Sequence, residues 1–205
     1  MSDFTYEVEK RTSPLENFEW DNVWWEQMNS GAGKRIVYIG DSISCGTRRI
    51  ATSVSENKYL FDGFGTSKAL DNPYLKPSLA LFLDQMKDYS AVILNNGLHG
   101  WHLTEDEYGK HYRDLVIFLK GKIKVPLLLV LSTDDLKHPG TNDRIIKRNE
   151  WVKKIAEEFS LPVIDLYEVA MKHNDLHTSD LIHFTSDGYT KLAEKILEEL
   201  NANNI

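Results

Sequence analysis

Three short runs of apolar residues constrain the fold of this chain more than any other feature. They have no alternating polar face, and they cover residues 35–39, 91–94 and 125–131. A strand that is covered by helices on both sides has this kind of sequence. A shorter run at residues 161–165 completes a set of four predicted strands. We therefore expect a sheet that is buried between two layers of helices.

Apolar residues recur at helical spacing between these runs. The pattern predicts four helices, over residues 77–89, 106–120, 143–159 and 185–200. Thr104 precedes the second helix and forms a predicted capping box with Glu107, and Thr185 precedes the last helix. Strands that alternate with helices form βαβ units, which give a mostly parallel sheet. The sequence therefore predicts a three-layer α/β/α fold.

The domain organisation follows from length and local composition. A chain of 205 residues is long enough for one compact domain, which we expect over residues 34–205. Residues 1–33 are predicted to form an N-terminal arm or short helix. The tryptophans of this arm, Trp20, Trp24 and Trp25, would dock its aromatic side on the domain. A loop at residues 29–33 would then lead into the first predicted strand.

Charge and composition exclude several classes of partner. The formal net charge is −7, and an acidic chain repels the phosphate backbone of nucleic acids. The longest strongly apolar run is far shorter than the ~20 residues that span a bilayer, so we expect no membrane association. The single cysteine, Cys45, cannot form an intramolecular disulfide, and the first residues lack the apolar core of a signal peptide. These features predict a cytoplasmic protein.

The first candidate site follows the first predicted strand, because ligands of parallel sheets bind at the carboxyl ends of the strands. The chain there reads Gly40-Asp41-Ser42-Ile43-Ser44. A serine between a strand and a helix exposes its hydroxyl near the positive end of the helix, which suits a nucleophile. Taken alone, the stretch is more typical of a serine that caps a helix. It lacks the Gly-x-Ser-x-Gly pattern of α/β-hydrolases and the Gly-Lys-Ser/Thr ending of a P-loop.

The second candidate site is an Asp-x-x-His pair, Asp180 and His183, just before the last predicted helix. Two side chains three residues apart can point at one place, which suits a histidine base and the carboxylate that orients it. An aspartate that caps a turn beside a packed histidine would give the same pattern. His173 and His177 invite a metal site with this pair, but no metal-binding signature is present, so we predict no metal.

Together, the two stretches resemble the SGNH or GDSL family of serine hydrolases, whose blocks are Gly-Asp-Ser near the amino end and Asp-x-x-His near the carboxyl end. The resemblance covers residues 35–200, and the order, spacing and context of both blocks agree with the family. It implies the SGNH hydrolase fold with a flavodoxin-like central sheet. It also implies that Ser42 is the nucleophile, that His183 is the general base and that Asp180 is its partner. No cofactor is implied.

The resemblance further implies an oxyanion hole with three donors. The first is the N–H of Ser42, and the second is a glycine N–H after the second strand, for which Gly65 is the candidate and Gly63 its rival. The third donor of the family is an asparagine side chain. Here the block reads Asn95-Asn96-Gly97-Leu98-His99, which resembles a less common branch and puts His99 in the position of that asparagine. Either His99 or a neighbouring asparagine, Asn96 among them, would then donate.

Residues around these blocks are candidates for substrate binding. Trp101 and His102 follow the third block and are predicted to line the cleft, although aromatic residues more often belong to a core. Asp41, beside the predicted nucleophile, is assigned to the same role. Cys45 is predicted to be a small buried helix residue. The acidic loop at residues 133–135 is predicted to be simply solvated.

The resulting hypothesis is an ester hydrolase that works through an acyl-enzyme intermediate. A short acyl group is favoured because no long apolar lid is evident, and the resemblance points to O-acetyl esters of carbohydrates. An alternative is a non-catalytic protein that binds carbohydrate or another small ligand and has lost turnover through the altered third block. A nucleotide-binding protein is disfavoured because the glycine fingerprint is missing.

Overall fold

The fold is built on one six-stranded sheet. The computed structural model describes residues 18–85 and 88–205. The strands are β1 (Asp21–Trp24), β2 (Lys34–Gly40), β3 (Tyr59–Thr66), β4 (Ala91–Leu94), β5 (Leu127–Leu131) and β6 (Val163–Asp165). Their spatial order is β1-β3-β2-β4-β5-β6, with β1 antiparallel to β3 and all other pairs parallel. Without β1, this order is that of the flavodoxin-like sheet, as expected.

Helices cover both faces of the sheet. They are α1 (Ser42–Val54), α2 (Leu75–Asp84), α3 (Glu105–Lys122), α4 (Pro139–Phe159), α5 (Leu166–Lys172) and α6 (Ser186–Ala202). α1, α5 and α6 pack on one face, and α2, α3 and α4 pack on the other. The predicted three-layer α/β/α fold is therefore confirmed. Of the helices in the described residues, none has both the length and the apolar composition needed to cross a membrane.

The core consists of two apolar clusters, one on each face of the sheet. Val37 and Val92 point into one cluster, and their neighbours Ile36 and Ile93 point into the other. All four side chains are fully buried. Successive side chains of a strand point to opposite faces, and both faces are covered here, so β4 is apolar throughout and β2 is apolar over residues 36–39.

The predicted helix caps are confirmed. The hydroxyl of Thr104 accepts the N–H of Glu107, whose side chain accepts the N–H of Thr104, so both halves of the capping box are made. The hydroxyl of Thr185 accepts the N–H of Gly188 at the start of α6. These caps satisfy backbone donors that the first turn of a helix leaves without an intrahelical partner.

Strand β3 was not among the strands that the apolar runs predicted. It contains Asp62, which breaks the apolar pattern, but this buried carboxylate accepts hydrogen bonds from Arg35 of β2 at 2.6 and 2.8 Å. It also contains Gly63, where a side chain would meet Arg48 of α1 at 2.1 Å. The strand is therefore held by a buried ion pair and by close packing against a helix.

The tryptophan-rich segment forms a strand and not a short helix. Residues 21–24 pair with β3 as strand β1, while residues 1–17 of the predicted arm lie outside the described residues. Trp25 stacks on Phe82 of α2 with 4.7 Å between the ring centroids. The predicted helix over residues 77–89 is α2, which ends at Asp84, and residues 86 and 87 lie outside the described residues.

Candidate active site

Ser42 is the first residue of α1, and one residue separates it from the end of strand β2. The residue that caps α1 is Asp41, whose carboxylate accepts the N–H of Ile43 at 3.0 Å. Asp41 has no exposed surface and its Oδ1 is used in the helix cap, so its assignment to substrate binding stays a prediction. Because Asp41 supplies the cap, the hydroxyl of the half-buried Ser42 is not needed for it. A helix start of this kind also places positive dipole charge beside the serine.

The structure brings Ser42 together with the predicted Asp-x-x-His pair. His183 Nε2 lies 2.8 Å from Ser42 Oγ, although the two residues are 141 positions apart in the chain. On the other side of the imidazole, Nδ1 lies 2.6 Å from Asp180 Oδ2. A carboxylate that accepts the Nδ1 proton fixes the tautomer of the ring, which leaves Nε2 as the acceptor for a hydroxyl proton.

The carboxylate of Asp180 is held by four donors in its own loop. Its Oδ1 accepts the N–H of Ile182 at 3.0 Å, the N–H of His183 at 2.9 Å and the hydroxyl of Thr178 at 2.7 Å. Leu181 adopts a left-handed conformation (φ +61°), and the chain turns tightly at this position. Partial burial alone would raise the pKa of Asp180, but the imidazole, amide and hydroxyl donors outweigh it and hold this pKa well below its usual range.

A buried Asp–His pair anchors the loop that carries Asp180 and His183. His177 Nε2 lies 3.1 Å from Asp134 Oδ1, and His177 Nδ1 lies 3.0 Å from the carbonyl of Asn174. Burial raises the pKa of Asp134 even though His177 opposes it. In the part of the chain that the structure describes, no three His, Cys, Asp or Glu side chains come together as a metal site.

The acidic loop after β5 is not simply solvated, which corrects the prediction for residues 133–135. Thr133, Asp134 and Asp135 are all buried, with at most 6% of their surface exposed. The two carboxylates remain buried because each is paired with a histidine, Asp134 with His177 and Asp135 with His138. A run of acidic residues predicts a loop in solvent, because a buried carboxylate is costly unless it is paired. The sequence alone does not show that histidine side chains pair with both carboxylates.

A buried arginine of α4 holds the third block, and sequence reasoning missed it. Arg148 has no exposed surface, and its guanidinium donates to the carbonyls of Gly97, His99 and Gly100 at 2.9, 2.7 and 2.9 Å. The same group lies 4.1 Å from the ring centroid of Trp101. A signal was present in the sequence, because the arginine stands three residues after one buried apolar residue of α4 and four before another, on the buried face.

The asparagines of the third block are both buried and both engaged. Asn95 donates to the carbonyl of Val130 and to the hydroxyl of Ser132, each at 3.2 Å, and so links β4 to β5. Asn96 donates to the carbonyl of Lys68 at 3.2 Å. His99 is half-buried, and its ring meets Trp20 edge to face with 6.4 Å between the centroids.

The two candidate glycines of β3 both pack against α1. Gly65 lies opposite Gly40 in the parallel register, at the carboxyl end of the strand, and a side chain there would meet the sulfur of Cys45 at 2.3 Å. Gly63 lies two residues further from that end. Burial raises the pKa of the Cys45 thiol, which is half-buried in α1. The register therefore brings Gly65 closer than Gly63 to the chain segment that contains Ser42.

A cavity of about 390 Å³ lies beside the loop that carries Asp180 and His183. It is lined by Leu98, Trp101, Asp135, His138, Thr141 and Ile182. Trp101 thus lies in the wall of a cavity, as the sequence predicts for a cleft residue. His102 does not line this cavity, and its Nε2 lies 3.0 Å from Asp71 Oδ2. A cavity of similar size, about 380 Å³, lies between β1 and α2 and contains none of the predicted site residues.

Comparison with known proteins identifies the fold. No protein-family model matches the sequence, and no curated protein matches it either. A member of the lipolytic G-D-S-L family from Veillonella parvula superimposes with a TM-score of 0.69 at 19% identity, over 82% of this chain and 99% of that chain. The chain has the SGNH hydrolase fold.

Two further solved structures share this SGNH fold. The catalytic domain of peptidoglycan O-acetyltransferase A from Streptococcus pneumoniae gives a TM-score of 0.65 at 16% identity, over 85% of this chain and 96% of that chain. An acetyl-xylooligosaccharide esterase from Geobacillus gives a TM-score of 0.61 at 18% identity, over 84% of this chain and 96% of that chain. The shared architecture extends over most of the chain in each comparison.

Proposed function

We propose that this chain is a serine ester hydrolase that cleaves short-chain acyl esters, with O-acetyl esters of carbohydrates as the substrate class. The observation that carries the proposal is the contact chain from Ser42 Oγ through the His183 imidazole to the Asp180 carboxylate, with distances of 2.8 and 2.6 Å. A nucleophile, a base and an orienting acid in hydrogen-bond contact are what acyl transfer by serine requires.

The geometry supports the following roles in the reaction. Ser42 attacks the ester carbonyl while His183 Nε2 takes the hydroxyl proton, and the ionised Asp180 stabilises the imidazolium that forms. His183 then protonates the leaving alcohol, so the acyl group stays on Ser42. A water molecule attacks this acyl-enzyme with His183 again as the base, and release of the acid restores the hydroxyl.

We assign the oxyanion hole to Ser42 itself and to groups at the carboxyl ends of β3 and β4, the two strands that flank β2. The N–H of Ser42 is the first donor, the N–H of Gly65 is the second, and His99 is the third, with the Asn96 amide as the alternative. The Asn96 amide donates to the carbonyl of Lys68, and in the alternative its second N–H would serve the oxyanion. Donors fixed before the reaction stabilise the developing negative charge without reorganisation.

The comparisons support ester chemistry on an acetylated substrate. One fold neighbour is an acetyl-xylooligosaccharide esterase, and another is a member of a lipolytic family. The alternative, a non-catalytic binding protein, has no need for a serine, an imidazole and a carboxylate in hydrogen-bond contact. The presence of both contacts therefore supports catalysis.

The remaining assignments are also proposals. We propose that residues 34–205 act as one catalytic domain on which the described part of the N-terminal arm, residues 18–33, docks, and that the protein works in the cytoplasm without a cofactor. The single, unpaired Cys45 is compatible with a reducing compartment.

Replacement of the nucleophile tests the proposal. Ser42→Ala should lower the kcat for 4-nitrophenyl acetate by about 10⁶-fold, because the covalent step is lost. Ser53→Ala is the matched control, since Ser53 is an exposed residue of the same helix. Activity of Ser42→Ala within tenfold of the wild-type value would rule out this nucleophile.

A further inference from the structure

The loop after β5 contains a second Asp-x-x-His pair with the same geometry as the first. Asp135 Oδ1 accepts the N–H of Lys137 and the N–H of His138, each at 2.9 Å. Asp135 Oδ2 lies 3.1 Å from His138 Nδ1. Asp180 and His183 make the same three kinds of contact in their own loop. In both pairs the carboxylate therefore fixes Nδ1 of the histidine.

The two pairs belong to loops that are hydrogen-bonded to each other. The N–H of Leu136, inside the second pair, donates to the carbonyl of Leu181, inside the first, at 3.1 Å. Ile182, which precedes His183, lines the 390 Å³ cavity together with Asp135 and His138. The second pair therefore stands in the wall of the cavity that adjoins the proposed active site.

The two members of the second pair differ in exposure. The side chain of Asp135 is only 7% exposed, whereas the side chain of His138 is 54% exposed. A buried carboxylate that holds Nδ1 leaves Nε2 as the atom that the imidazole offers to a ligand. When the Nδ1 proton is donated to the carboxylate, Nε2 of the neutral ring is a hydrogen-bond acceptor. The proposed reaction at Ser42 has no use for this group.

The other residues that line the cavity indicate which kind of ligand would reach His138 Nε2. Trp101 and Leu98 provide an aromatic and an aliphatic surface, and Thr141 provides a hydroxyl near His138. A flat aromatic surface beside a few fixed polar groups suits a ring that has C–H faces and hydroxyl edges. An alcohol without a further hydroxyl group would leave His138 Nε2 without this partner.

We infer that His138 is a substrate-binding residue that accepts a hydrogen bond from a free hydroxyl of the alcohol part of the ester. The enzyme would therefore prefer partly acylated polyols, such as sugar monoacetates, over acetates of simple alcohols. This inference rests on the proposed function, because it concerns the alcohol that Ser42 chemistry would release.

Two esters that differ by one hydroxyl test the inference. The substrates are the monoacetate of trans-1,2-cyclohexanediol and cyclohexyl acetate, and the readout is the ratio of their kcat/KM values from acetate release. We expect a ratio of about ten for the wild-type protein, the value of one hydrogen bond. His138→Phe should bring the ratio to about one, and His138→Gln, whose amide reaches the position of Nε2, should restore part of it.

His111→Phe is the matched control, because His111 is a half-buried histidine of α3 that does not line the cavity. This variant should keep the wild-type ratio. An unchanged ratio in His138→Phe, or a wild-type ratio near one, would overturn the inference even if both esters are hydrolysed. Failure of the proposed function would look different, since neither ester would then be hydrolysed faster by the wild-type protein than by Ser42→Ala.

Discussion

Replacement of Arg148 by methionine should separate the third block from the helix that holds it. The guanidinium donates to three backbone carbonyls, those of Gly97, His99 and Gly100, and it lies over the ring of Trp101. Methionine keeps a long apolar side chain in the same space but supplies no donor. The change therefore removes the hydrogen bonds without opening a large cavity.

The magnitude follows from the number of lost bonds. A net loss of about 1 kcal/mol for each of the three hydrogen bonds gives a destabilisation of about 3 kcal/mol. For a protein of this length, 1 kcal/mol changes the Tm by about 2–4 °C, so the expected decrease is about 6–12 °C. Displacement of the block that contains His99 should also lower kcat, by about 10²-fold for a shift of about 1 Å.

Thermal unfolding and ester kinetics measure the two effects. The matched control is Arg113→Met, which removes an exposed arginine paired with Glu158 on α4. That variant should behave like the wild-type protein, because exposed ion pairs contribute little. A Tm of Arg148→Met equal to that of Arg113→Met would refute the argument. If Arg148→Met does not fold, Arg148→Lys, which keeps a charge but not three fixed donors, should have a lower Tm than Arg113→Met, and an equal Tm would refute the argument.

Variants of three further residues, Asp180, His99 and Asn96, test the assigned roles. Asp180→Asn should lower kcat by about 10⁴-fold with little change in KM, because the imidazole loses the partner that fixes its tautomer. If steady-state kinetics show the wild-type kcat for this variant, Asp180 is only a turn cap. The lowered pKa of Asp180 means that its contribution to stability is fully present above about pH 5 and is lost as the pH falls below about 4 toward the lowered pKa of the folded state. In urea unfolding, the difference in unfolding free energy between the wild-type protein and Asp180→Asn should therefore be constant from about pH 7 to about pH 5 and shrink as the pH falls below about 4. His99→Ala should lower kcat by about 10²–10³-fold and His99→Asn should recover part of it; a loss of kcat in Asn96→Ala but not in His99→Ala would transfer the donor role to Asn96.

The parts of the fold that could be predicted from the sequence are those that local patterns determine. β4 and β5 are unbroken apolar runs, and β2 is apolar over residues 36–39, because helices cover both faces of the sheet, and α3 begins at a complete capping box. β3 could not be predicted in this way, because its buried Asp62 depends on Arg35, 27 residues away. β1 is a strand because its backbone pairs with β3, which the tryptophans alone do not indicate.

The same distinction applies to the candidate site: contacts within one turn could be predicted from the sequence, and contacts between distant elements could not. Asp180 and His183 form a contact within one turn, so their spacing was sufficient to predict it. The contact of His183 with Ser42 spans 141 residues, and only the family resemblance suggested it. Arg148 is buried, and so are the polar side chains of residues 133–135. Their burial depends on partners elsewhere in the fold, which the amino-acid composition does not predict.

The most direct test of the central claim is covalent labelling of the wild-type protein with a fluorophosphonate, read by intact mass and by peptide mapping. Such a reagent modifies a serine only where a neighbouring base activates its hydroxyl. We expect one adduct, located on Ser42, and at least a 100-fold slower reaction in His183→Ala, because the base is removed. An unmodified protein, or an adduct on another residue with Ser42 untouched, would contradict the assignment of Ser42 as the nucleophile.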